Sequence, residues 1–63
     1  MLKKLITDQI KEADGKIDFF LLIELLTKKG VQHYVIRSEV LHMVSNGELT
    51  LRNKKVELVE EKV

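Results

Sequence analysis

The sequence predicts an α+β fold of three helices followed by a small antiparallel β-hairpin, in one domain of residues 1–63. Three observations predict it. Apolar residues recur at helical spacing in three successive stretches, about 2–14, 19–29 and 33–46. Each stretch is followed by one of the chain's three glycines, Gly15, Gly30 and Gly47, the residue type that most readily ends a helix. The segment at about 48–59 then changes to strict alternation of apolar and polar side chains, the period of a half-buried strand.

Taken in order, residues 2–13, LKKLITDQIKEA, put Leu2, Leu5, Ile6, Ile10 and Ala13 on one stripe with charged residues opposite. Asp14-Gly15 stops this helix, Gly15 being free to take the left-handed conformation that closes it. Lys16-Ile17-Asp18 is a short extended piece that counts as a strand only if a later segment pairs with it, and Asp18 is placed to cap the next helix. That helix, FFLLIELLTKK, points Phe19, Leu22, Leu25 and Leu26 at the core and sends Phe20 and Ile23 sideways or outward, with Leu21 on the other margin. A helix apolar around most of its circumference is buried on more than one side. The second cover is the first helix, the hairpin or a second copy of the protein.

Val31-Gln32-His33 makes a tight connection to the third helix, in which Ile36, Val40, Met43 and Val44 form the buried face. Tyr34, Ser38, Leu41, His42 and Ser45 point away from it, with Arg37 on the flank and Gln32 at the start. Asn46-Gly47 ends the helix. In the tail, a two-residue turn at Asn53-Lys54 pairs Arg52 with Lys55, Leu51 with Val56 and Leu49 with Leu58, which puts every apolar residue on one face. Asn-Lys is a weaker turn signal than Asn-Gly, so a longer loop is the alternative. Arg52 opposite Lys55 is mildly repulsive, and tolerable where an anion lies beside the pair. Residues 60–63 are expected to fray.

A chain of 63 residues is near the lower limit for folding alone. It has no cysteine to cross-link it, which leaves tight packing and oligomerisation as its supports. With 44% hydrophobic and 33% charged residues it is too apolar for a disordered tail. Net charge is only +1, so any basic site is local. Asp8 and Glu12 interrupt the segment after Lys3 and Lys4, which is no signal peptide, and no apolar run reaches the roughly 20 residues that span a bilayer. The expected location is the cytoplasm or its equivalent, without a membrane partner.

No catalytic constellation emerges. There is no Cys and no Gly-rich phosphate loop, and the Ser and His residues share one exposed helix without a carboxylate at an obvious spacing. His33 and His42, nine residues apart, fall on opposite sides of that helix and make no metal pair. Neither enzymatic activity nor a metal or other cofactor is expected.

The order helix, short extended piece, helix, tight turn, helix, hairpin resembles the winged helix-turn-helix fold over nearly the whole chain. The most telling part is IRSEVLHMVSNGELTL, residues 36–51, which looks like a recognition helix running into the first strand of a wing. The resemblance implies double-stranded DNA as the partner, with the third helix in the major groove and the hairpin beside the adjacent backbone. Position by position it implies base reading by Gln32, Tyr34, Arg37, Ser38 and His42, and phosphate contact by Arg52, Lys54 and Lys55, with Lys28 and Lys29 adding backbone contacts. Arg suits guanine and Gln adenine, whereas Lys at a turn supplies charge without sequence information.

The third helix departs from the pattern in having one arginine, no lysine, and Glu39. A homodimer would double the phosphate contacts, and Leu2, Phe20 and Ile23 are its candidate seam; otherwise they complete the monomer's own core. Tyr34 stacks on a sugar or phosphate, or packs against the second helix. Leu41 meets a thymine methyl, or a protein. The expected function is therefore a small DNA-binding transcriptional regulator, with a winged-helix protein-interaction module as the alternative and RNA reading a weaker third. A chain this short leaves little room for a sensor domain, so regulation is expected from concentration or a partner.

Overall fold

The computed structural model describes residues 2–59, and the fraying expected of 60–63 lies outside them. The elements are α1 (Leu2–Glu12), β1 (Lys16–Asp18), α2 (Phe19–Lys28), α3 (His33–Ser45), β2 (Leu49–Arg52) and β3 (Lys55–Leu58). This is the expected α+β class, three helices and an antiparallel hairpin. The piece at 16–18 finds its partner in β3, which completes a three-stranded sheet of order β1-β3-β2.

In α1, Ile6 and Ile10 are one turn apart and fully buried, Leu2 and Ala13 pack against them half-buried, and Leu5 is exposed. The apolar stripe is narrower than its sequence suggests. The helix closes through Asp14, whose φ is 64°, rather than through Gly15 alone. The Asp14 N–H donates to the Lys11 carbonyl at 3.0 Å and the Gly15 N–H to the Ile10 carbonyl at 2.9 Å, a Schellman pair of bonds. Asp tolerates the left-handed region better than most residues with a Cβ, which allows it this position.

Asp18 caps α2 as expected: its carboxylate accepts from the backbone N–H of Phe20 at 2.9 Å and of Leu21 at 3.2 Å. The helix buries Leu22, Ile23 and Leu26, with Phe19 and Leu25 half-buried beside them. Ile23 corrects the expectation that it projects sideways or outward, since it is only 5% exposed and belongs to the core. It lies one turn from both Phe19 and Leu26, so the buried sector of α2 is wide enough to include it. Phe20 does project, at 60% exposure. In α3, Ile36, Val40 and Met43 are buried and Val44 is half-buried.

The hairpin has the expected register, Arg52 with Lys55, Leu51 with Val56, and Leu49 with Leu58. Its turn has the two-residue length, with φ of 52° at Asn53 and 65° at Lys54. Two successive left-handed residues match the right-handed twist of the flanking strands. Leu49 and Val56 are buried, whereas Leu51, on the edge strand, is 37% exposed. β3 bonds in alternation to its two neighbours. Val59 donates to the Glu48 carbonyl at 3.2 Å on the β2 side, and Leu58 donates to the Gly15 carbonyl at 3.0 Å on the β1 side.

One core joins all six elements: Ile6, Ile10, Ile17, Leu22, Ile23, Leu26, Ile36, Val40, Met43, Leu49 and Val56. Among the described residues no polar or charged side chain is buried. No helix among them is long and apolar enough to cross a membrane.

Candidate nucleic-acid interface

α3 begins because the Gln32 carbonyl accepts from both Val35 and Ile36, each at 3.1 Å. The Gln32 side chain makes no capping bond and stays exposed, so its amide is available to a ligand. With Ile36, Val40 and Met43 anchored in the core, helical geometry turns Tyr34, Arg37, Ser38, Leu41, His42 and Ser45 outward, and all six are exposed. Tyr34 is 69% exposed, so of its two expected positions it takes the outward one. Leu41 is 43% exposed near the middle of this face. His42 and Asn46 approach at 3.5 Å between ring Nε2 and amide Nδ2. Glu39 sits to one side, half-buried, away from the exposed row.

The basic candidates form two groups at opposite ends of α2. Lys28 and Lys29 are exposed at its C-terminal end, where the chain turns into α3. The hairpin turn lies at its start, because the Phe19 N–H donates to the Lys54 carbonyl at 2.8 Å. Ten helical residues separate the two ends, about 15 Å. The structure therefore gathers Lys28 and Lys29 with the start of α3, and holds Arg52, Lys54 and Lys55 apart from them at the hairpin.

At the hairpin the register adds a residue that the sequence reading missed. Lys16, Asp18, Lys55, Glu57, Thr50 and Arg52 all fall on the outer face of the sheet, opposite to Ile17, Val56 and Leu49. Lys16, Arg52, Asn53, Lys55 and Glu57 line a shallow concavity of about 320 Å³ there. The signal for Lys16 was the alternation Lys-Ile-Asp, which acquires meaning only once β3 is known as its partner.

The ion pairs among the described residues are Lys3 with Glu48 at 2.9 Å and Lys4 with Asp8 at 3.2 Å. Neither involves Lys16, Lys28, Lys29, Arg37, Arg52, Lys54 or Lys55. Asp18 lies directly across from Lys55, yet its carboxylate is turned into the α2 cap. Among the described residues no three His, Cys, Asp or Glu side chains gather as a metal site, and His33 and His42 are both exposed on α3.

Of the candidate dimer seam, Phe20 is exposed, Leu2 is half-buried against the core and Ile23 is inside it. A seam on α2 would have to be built on Phe20, whose ring stands 5.7 Å from that of Phe19, and on Leu21, which is 45% exposed. Compared with known protein families, characterised proteins and solved structures, the chain matches none significantly.

Proposed function

We propose that this chain is a DNA-binding protein of the winged helix-turn-helix type that regulates transcription in the cytoplasm or its equivalent. α3 lies in the major groove, and the turn at 52–55 meets the phosphate backbone beside it. The observation that carries the reading is the exposed face of α3. It presents Tyr34, Arg37, Ser38 and His42 on a helix whose other side is fixed in the core, with basic groups at either end of α2 that enter no ion pair among the described residues. The element order, with α2 and α3 joined by a short turn and the hairpin following, supports it. Arg37 and Gln32 supply base-edge hydrogen bonds, whereas Lys28, Lys29, Arg52, Lys54, Lys55 and Lys16 supply charge.

Fluorescence anisotropy on a labelled duplex, titrated at several salt concentrations, tests the proposal. Binding should weaken steeply with salt, and the double variant Lys54→Ala/Lys55→Ala should flatten the logarithmic salt slope by about 2 and lower affinity for every sequence. Arg37→Ala should instead reduce the preference between sequences. A double variant that keeps both affinity and salt slope would reject this docking.

The competing reading, a protein-docking module, is favoured by Leu41 at 43% exposure and Phe20 at 60%. Absence of any duplex binding at low salt, together with a protein partner that is lost on Leu41→Asp, would select it.

A further inference from the structure

With the sheet ordered β1-β3-β2, β2 is an edge strand with β3 as its one neighbour among the described residues. With the residue before it, the strand reads Glu48-Leu49-Thr50-Leu51-Arg52. Laid antiparallel to itself about Thr50, this segment is self-complementary: Thr50 meets Thr50, each Leu49 meets Leu51, and each Glu48 meets Arg52.

The backbone is prepared for the same alignment. Next to a two-residue turn, Arg52 and Lys55 form the hydrogen-bonded pair, and alternate pairs thereafter do the same, so Thr50 bonds Glu57. The Val59 bond to the Glu48 carbonyl continues that parity. Leu49 and Leu51 therefore turn their N–H and C=O groups away from β3. Among the described residues no backbone bond from a turn, loop or cap reaches either of them. An antiparallel partner centred on Thr50 pairs Leu49 with Leu51 in both directions, which is the geometry in which outward-facing groups exchange four hydrogen bonds. Centring on Leu51 instead sets Leu49 against Asn53 and Arg52 against Thr50, which leaves Arg52 unmatched and puts Glu48 opposite Lys54, a residue of the turn and not of the strand.

We propose that β2 pairs with β2 of a second copy of this chain, making a continuous six-stranded antiparallel sheet. The partner's strand covers Leu51, which is 37% exposed. A carboxylate arrives beside Arg52, whose cross-strand neighbour within the chain is Lys55. Glu48 reaches Lys3 through Oε1 at 2.9 Å, leaving its other oxygen for the partner's arginine. The Phe20 surface is not involved, and Lys54 and Lys55 remain free. The pairing does not depend on DNA binding.

Sedimentation equilibrium of the full chain without DNA tests it, alongside amide hydrogen exchange at low and high protein concentration. The wild type should dimerise, and the Leu49 and Leu51 amides should gain protection as concentration rises. Arg52→Glu sets like charges against each other at both ends of the paired strands and should weaken the dimer about tenfold. Within the chain the same change turns repulsion from Lys55 into attraction, so circular dichroism should show an intact fold. The swap Glu48→Arg/Arg52→Glu should restore the dimer. A monomer at millimolar concentration would overturn the proposal. So would a dimer indifferent to Arg52→Glu, or one that is lost on Phe20→Asp and never protects Leu51.

Discussion

Asp18 ends β1 opposite Lys55, and its carboxylate accepts from Phe20 and Leu21, satisfying two of the first N–H groups of α2. The negative charge also lies at the positive end of the helix dipole. Removing the cap with Asp18→Ala should cost about 1 kcal/mol in chemical denaturation. Asp18→Asn keeps an accepting oxygen and should cost less than half as much; equal losses would mean that charge, not capping, is what Asp18 contributes. The cap was legible in the sequence because a short polar acceptor before an apolar run has one common use. Ile23 was not legible in the same way. Phe20 and Ile23 flank the same apolar row, and composition alone does not say how far around the helix the core reaches; the packed structure takes in Ile23 at 5% exposure and leaves out Phe20 at 60%.

The hairpin is the element whose details were most fully written in the sequence. Alternation fixes which residues face inward, and one turn length then satisfies both strands, so the register of Arg52 with Lys55 followed. Two of its properties were not readable. Leu51 alternates correctly yet is half outside, because which strand lies at an edge depends on β1 pairing with β3 rather than with β2. Lys16 joins the outer face for the same reason. The turn itself is strained: Lys54 holds a φ of 65°, a region that costs a residue with a Cβ roughly 1–2 kcal/mol. Lys54→Gly removes that cost against a flexibility penalty of roughly 0.5–1 kcal/mol in the unfolded chain, and should raise stability by about 0.5–1 kcal/mol in urea denaturation. The backbone bond from Phe19 to the residue 54 carbonyl is kept. The same variant lacks one phosphate-contacting cation, so under the proposed function it binds duplex DNA more weakly while folding better. A rise in stability with unchanged affinity would remove Lys54 from the interface without disturbing the turn argument.

At the scale of the whole molecule, the hairpin is part of the domain and not an appendage to it. Val56, at the centre of the middle strand, is fully buried and pairs with Ile17 on one side and Leu51 on the other. The same cluster contains Ile36, Val40 and Met43 of α3, so the hairpin and α3 share one core. A domain of 63 residues has a stability of about 3–9 kcal/mol, too little to sustain two independently folding parts. Val56→Ala should cost about 2 kcal/mol through lost burial and the space it leaves. In native-state hydrogen exchange, the amides of Val40 and Met43 in α3 and of Glu57 in β3 should open with the same free energy and lose the same amount in the variant. A loss confined to Glu57 would mean that the hairpin opens by itself. The angle between the hairpin and α3 would then be free to vary. Because α3 carries only Arg37 as a fixed cation, binding to DNA under the proposed function depends on holding α3 and the hairpin in one rigid relation, and Val56 is the side chain at which that relation can be tested.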